Sequence, residues 1–252
     1  MQYRKIKNIE ARTGLSKTKS EEIKHLFQEH IYGALEQPKA YPTFDVQPLG
    51  IKLYRRGVKA RFENVTISYN DKDLNLLLIK PIRDTNAPTP CILFLNSLGN
   101  HTVSPCKFIP ISKSWVPNDK NTHRGAHKNR FDIELALKHG YTIATVHESD
   151  IAADNAELTP EGCLISKWAS GLQRCVDYLT ADHEINAKQI GVFGFSRRGK
   201  AALLATAFDE RIALVIAHQS GTGGAAPSFK RTKGISSSIL RKRGKQIFDK
   251  NG

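Results

Sequence analysis

The sequence predicts an α/β domain built on a mostly parallel sheet with helices on both faces. Three observations predict it. From residue 131 onward, segments with apolar residues at helical spacing alternate with short apolar runs. Those runs are apolar throughout, as in strands buried on both faces. The chain has 252 residues, 40% of them hydrophobic, which is enough for one large core.

The elements follow in order. Thr18 and Glu21 have capping-box spacing and open a helix. Ile23, Leu26, Phe27 and Ile31 then share one face, and Gly33 ends it. Pro38 and Pro42 mark a loop. Strands are expected at 64–69, 74–79 and 91–95, with turn residues between them. Residues 96–130 are polar and aperiodic, and a loop of that length in a compact domain usually has a function. A helix at 131–138, a strand at 141–146 and a loop at 150–164 come next. The helix at 166–179 carries Trp168, Leu172, Cys175, Val176 and Leu179 at helical spacing. A strand at 189–193, a helix at 198–208 and a strand at 212–217 complete the alternation. The chain divides into a basic segment 1–19, an α/β domain 20–229 and a basic tail 230–252.

Net charge is +14, but it is unevenly spread. Six basic side chains against Glu10 give residues 1–19 a charge of +5. Eight against Asp249 give residues 230–252 a charge of +7, which leaves the body at +2. A near-neutral body argues against a nucleic-acid-binding face built on the fold. No apolar run reaches the roughly 18–20 residues that cross a bilayer. Residues 1–14 are charged and lack an apolar h-region, so no secretory leader is expected there. Of the four cysteines, Cys91 and Cys175 read as buried free thiols, and a Cys106–Cys163 bridge is left open.

Chemistry concentrates at Ser196. An apolar run ends at Gly194, and the serine stands before a helix, beyond the carboxyl end of a strand. Gly194 removes a side chain from the turn, and Gly199 lets the helix lie close. The helix N-terminus aims backbone N–H groups at the site. The spacing is one residue longer than G-x-S-x-G. From these residues alone, a nucleophile elbow and an ordinary serine helix cap are both open.

The stretch from Gly194 to Lys200, GFSRRGK, resembles the G-C-S-R-x-G-K motif of glucuronoyl esterases (carbohydrate esterase family fifteen). These are α/β-hydrolases that cleave glucuronic acid esters in plant cell walls. DERIALVIAHQSGTGGAA at 209–226 resembles the family's next strand and its S-G-x-G-G-A segment. FLNSLGNHTV at 94–103, HGYTIATVHESDIAADN at 139–155 and LFQEHIYG at 26–33 resemble further segments, in family order over roughly 20–230. The bacterial branch, often called acetylxylan esterase or acyl esterase, is the most similar.

The resemblance implies roles residue by residue. Ser196 is the nucleophile, Arg197 belongs to the oxyanion hole, and Lys200 contacts sugar hydroxyls. Gly99 and Asn100 supply a second oxyanion donor or line the pocket, and His101 is a structural histidine. No metal or organic cofactor is required. Family members are usually secreted or periplasmic.

The rest of the machinery is harder to place. Gln219 stands where many members carry the catalytic glutamate, and an amide cannot stabilise an imidazolium. None of the nine histidines lies in the last 34 residues, where the family's base would come. His218 is a weak substitute. The expectation is a chain truncated before its last strands, poorly soluble and inactive. Two other readings stay open: a non-catalytic carbohydrate-binding remnant, and a nucleic-acid binder acting through its basic tails.

Overall fold

The computed structural model describes residues 17–117, 121–155 and 163–226. The basic tail, nearly all of the N-terminal segment and the side chain of Thr18 lie outside the described residues.

The strands are β1 (Thr43–Leu53), β2 (Lys59–Tyr69), β3 (Lys72–Pro81), β4 (Thr89–Asn96), β5 (Thr142–His147), β6 (Ile185–Phe195) and β7 (Ile212–His218). They form one sheet in the order β1-β2-β3-β5-β4-β6-β7. The helices are α1 (Lys17–Phe27), α2 (Ile133–Lys138), α3 (Glu148–Ile151), α4 (Leu164–Ala181) and α5 (Arg197–Ala207). A π-turn, Gln28–Tyr32, continues α1 to Gly33.

The sheet is mixed. β5, β4, β6 and β7 run parallel, joined through helices. β1, β2 and β3 form an antiparallel meander, and β3 also meets β5 antiparallel. The β2–β3 turn explains the change of direction. Asn70 and Asp71 both take positive φ, 45° and 60°, as a two-residue type I′ hairpin requires. Asn70 pins that turn further by accepting from the Lys39 N–H at 2.8 Å and donating to the Gln37 carbonyl at 3.0 Å.

β1 is an element the sequence pattern does not reveal. It contains Pro48, and the register slips between Pro48 and Gly50. Its burial does not alternate. Among the described residues β1 is an outer strand, paired on one edge only, and such a strand tolerates both features.

Core residues divide by face with a period of two. In β3, Leu74, Leu76 and Leu78 join the cluster under α4 and α5, built around Trp168, Leu172 and Leu204. Leu77 and Ile79 join the opposite cluster, with Phe62, Ile109, Ile133 and Leu137. This division settles the cysteines. All four are free thiols, and Cys91 and Cys175 are fully buried. Cys106 packs on one face of the sheet and Cys163 on the other. The bridge left open by the sequence is therefore not formed, because the sheet stands between the two thiols.

At the opposite side of the sheet from β1, β7 is the outer described strand. Leu214 and Ile216 are 58% and 46% exposed there, beside Phe195 at 47%.

Candidate active site at the carboxyl edge of the sheet

β6 delivers Ser196 to the carboxyl edge of the parallel strands, and α5 leaves from it. The backbone at Ser196 has φ 56° and ψ −124°. A serine that caps a helix sits in the extended region and accepts a bond from the first turn. Ser196 does neither: its φ is positive and its side chain makes no capping bond. A non-glycine residue in such a conformation costs on the order of 1–3 kcal/mol, and the surrounding structure must hold it there. Three contacts do so. The Ser196 N–H donates to the His218 carbonyl at 3.0 Å, tying the elbow to the end of β7. The Ser196 carbonyl accepts from Gly199 N at 3.0 Å and Lys200 N at 3.3 Å, starting α5.

Two glycines make the turn possible. A Cβ on Gly194 would lie 2.2 Å from the Arg198 carbonyl oxygen and 2.6 Å from Gly199 N. A Cβ on Gly199 would lie 3.0 Å from the Gly194 oxygen and 3.1 Å from Ser220 Cβ. The strand and helix therefore approach backbone to backbone. The Arg197 and Arg198 amides belong to the first turn of α5, whose N–H groups have no partner within the helix. They are the donors available for an anion beside Ser196.

The two arginine side chains follow different paths. Arg197 forms a two-pronged ion pair with Asp154, with Nη1 to Oδ1 at 2.7 Å and Nη2 to Oδ2. This pairing, ahead of the opposing effect of burial, raises the Arg197 pKa. Arg198 pairs with Glu148, with Nη2 to Oε1 at 2.7 Å and Nε to Oε2. Glu148 is almost completely buried. Burial pushes its carboxyl up from the ordinary value, and the Arg198 charge acts against that rise. Each guanidinium carbon lies 5.8 Å from the Trp168 ring centre. Trp168 in turn donates its Nε1–H to the Ala152 carbonyl at 2.9 Å. The sequence pattern gives no role to Arg198, Glu148 or Asp154. The quoted segment 139–155 contains both acids, but only the fold shows which arginine each one meets.

Lys200 is buried one turn into α5, and its ammonium donates to the Thr222 carbonyl. Burial first, and the Arg197 charge second, lower its pKa. The 219–226 turn is held from two sides, because Tyr32 donates its hydroxyl to the Gly223 carbonyl. Lys200 is thus anchored behind the elbow, with two ammonium hydrogens left for other partners.

Gln219 follows β7 directly, is exposed, and has φ 48°. The His218 ring packs on Phe195 with centroids 5.5 Å apart. Gly99 and Asn100 are embedded in their own loop. Gly99 N donates to Asn96 Oδ1 at 2.8 Å. Asn100 accepts from Asn96 Nδ2 at 2.7 Å and donates to the Asn75 carbonyl at 2.6 Å. The Gly99 N–H is therefore engaged inside the loop rather than open to a ligand. Asn100 does line a cavity of about 270 Å³, with Asn64, Asn75, Ser112, His147 and Asp150, but Ser196 is not among its walls. His101 is held on both ring nitrogens: Nε2 meets the Thr122 carbonyl at 2.9 Å, and Nδ1 accepts from Ser112 N at 3.3 Å.

Among the described residues, no group of three His, Cys, Asp or Glu side chains could hold a metal ion. None of the described helices is long and apolar enough to cross a membrane.

Residues 157–250 match the family model described as glucuronyl esterase, fungi. That match runs past residue 230, where the resemblance was expected to end. A carbohydrate esterase from an unknown prokaryotic organism is 32% identical over 246 residues, covering 84% of this chain and 55% of that one. A 4-O-methyl-glucuronoyl methylesterase of Cerrena unicolor is 47% identical over 107 residues, covering 36% of this chain and 23% of that one. Among solved structures, a glucuronoyl esterase from Solibacter usitatus superposes with a TM-score of 0.73 at 30% identity, covering 84% of this chain and 60% of that one. The chain spans little more than half the length of the first of these relatives.

Proposed function

The chain belongs to carbohydrate esterase family 15, the glucuronoyl esterases, and from that premise we propose that it carries the nucleophile side of a serine carboxylic-ester hydrolase acting on carbohydrate esters. The acyl group is a 4-O-methyl-glucuronate or an acetyl group on a plant cell-wall sugar. The observation that carries this reading is the backbone of Ser196, held at positive φ without a capping bond at the start of α5. A serine that merely ended a strand would relax from that strain.

The chemistry follows from the geometry. Ser196 Oγ attacks the ester carbonyl. The carbonyl oxygen becomes an oxyanion facing the first-turn amides of α5, of which Arg197 contributes one. The C–O bond to the alcohol breaks, the alcohol leaves with the proton from Ser196, and an acyl-enzyme remains. Water then releases the acid and restores the hydroxyl. Both steps need a proton acceptor. The His218 ring packs on Phe195, and Gln219 offers an amide in place of a carboxylate.

The test is covalent capture. Incubation with an alkyl fluorophosphonate should add one phosphonyl group to Ser196, with loss of fluoride and the serine proton, seen by intact mass and peptide mapping. Ser196→Ala should remain unmodified. A wild-type chain that never forms the adduct, yet binds glucuronate-bearing oligosaccharides by calorimetry, would replace this reading with the non-catalytic sugar-binding one.

A further inference from the structure

We propose that Asp154 is a positioning residue for the oxyanion arginine: it holds the Arg197 guanidinium by its outer edge and leaves the inner edge free for the acyl or sugar oxygens at Ser196. This inference rests on the reading of Ser196 as the nucleophile and names the device that orients its neighbour.

Asp154 engages Nη1 and Nη2, one carboxylate oxygen to each. That is the end-on mode. It uses one hydrogen from each terminal nitrogen and leaves Nε–H, with a second Nη–H beside it, as another planar fork. Among the described residues, no partner takes that inner fork.

Asp154 is itself firmly placed. It ends a short segment that begins at Glu148, and the segment is fixed at each step. Glu148 is bound by Arg198. Asp150 accepts from Ser114 and from Asn75 N, the latter at 3.1 Å. The Ala152 N–H returns to the Glu148 carbonyl at 2.9 Å, and its carbonyl accepts from Trp168. Trp168 lies under both guanidinium groups. The acid, the aromatic platform and the two arginines thus form one closed circuit. Groups held in this way lose little freedom when a transition state forms.

The Arg197 and Asp154 side chains are 42% and 28% exposed. An ion pair that wet contributes little to folding. Its removal should leave the fold intact, so a change in reactivity can be read cleanly.

The experiment measures the second-order rate of phosphonylation of Ser196 in the full chain. Wild type, Asp154→Asn, Asp154→Glu, Arg197→Lys and the Asp154→Asn/Arg197→Lys double variant are compared, with thermal melting in parallel. Asp154→Asn should react about 10- to 100-fold more slowly, as expected for a misplaced catalytic group. Asp154→Glu should recover part of the rate, and melting temperatures should stay close to wild type. The double variant should be no slower than the slower single variant, since both break one interaction. A merely structural role would instead give effects that multiply or that follow the melting temperature. Equal rates for wild type and Asp154→Asn, or multiplying effects, overturn the proposal while leaving Ser196 as the nucleophile. Should Asp154→Asn fail to fold, rescue of rate by Asp154→Glu decides in the same way. An adduct that persists in Ser196→Ala, or never forms in wild type, would instead overturn the reading beneath it.

Discussion

Replacing Gly194 with alanine is expected to destabilise the protein by more than about 4 kcal/mol, and folded protein should be scarce at physiological temperature. The reason lies in what the new methyl group would meet. Its nearest neighbours are the Arg198 carbonyl oxygen at 2.2 Å, the Arg198 carbonyl carbon at 2.4 Å and Gly199 N at 2.6 Å. All three are backbone atoms of the first turn of α5. No rotamer change relieves the clash, so the helix must move off the strand.

Moving α5 would break more than local packing. Ala201, Ala202 and Ala205 on this helix are fully buried against the sheet and α4. The Ser196 N–H would also lose the His218 carbonyl that holds the elbow to β7. Two companion variants grade the effect. Gly199→Ala meets the Gly194 oxygen at 3.0 Å and Ser220 Cβ at 3.1 Å, so a loss of roughly 1–3 kcal/mol is expected, as for modest overpacking. Gly191→Ala meets only Leu214, at 3.6 Å or more, and should be tolerated. Chemical denaturation of the three variants gives the order. A Gly194→Ala protein as stable as Gly191→Ala would show that strand and helix do not approach as described.

Much of the site was legible because its signals are local. Gly194, Ser196 and Gly199 fall within six residues, and each glycine has a steric reason to be there. The helix at 166–179 was equally plain, because a buried helix repeats its apolar residues. What the sequence pattern concealed was set by distant partners. Asp154 meets Arg197 across 43 positions and Glu148 meets Arg198 across 50. No local spacing encodes such a meeting. β1 was hidden for a different reason: an outer strand wet on much of its surface need not alternate, and Pro48 argues against a strand by composition. The first four residues of β6 were missed likewise, since Asn186, Ala187 and Lys188 are not buried. Strand direction is invisible to periodicity. The two-residue Asn70-Asp71 turn, with both residues at positive φ, is what turns β2 into β3 antiparallel.

At the other end of the sheet, Lys80→Met is expected to destabilise the protein by about 3–5 kcal/mol. Lys80 is nearly buried and bonds Asp182 at 2.7 Å, Glu63 at 2.9 Å and Glu184 at 2.9 Å. Methionine fills the same space, so the loss is electrostatic rather than steric. Arg61 remains to compensate Glu63, at 2.7 Å, and Glu184. Among the described residues Asp182 has no second cation: its remaining partners are the Tyr178 hydroxyl at 3.3 Å and the Glu184 N–H at 3.0 Å. Its charge, with a side chain only 4% exposed, would be left nearly unpaired. Asp182→Asn in the Lys80→Met background should therefore recover part of the loss. The pH dependence has a definite sign. Burial would raise the Glu184 carboxyl, but hydrogen bonds from Arg61 and Lys80 outweigh it and bring the pKa from 4.5 to about 2. A depressed carboxylate contributes stability that is present above its unfolded value and is lost as pH falls through its folded one. Wild type should lose this contribution between about pH 4.5 and about pH 2. With Lys80 gone, the folded Glu184 pKa rises back toward its ordinary value, so the loss should be smaller and should finish at a higher pH. Urea melts at stepwise lower pH would show the wild-type and Lys80→Met stabilities converging as the carboxylates protonate. A constant gap down to pH values near 2 would mean that Lys80 acts through packing rather than charge.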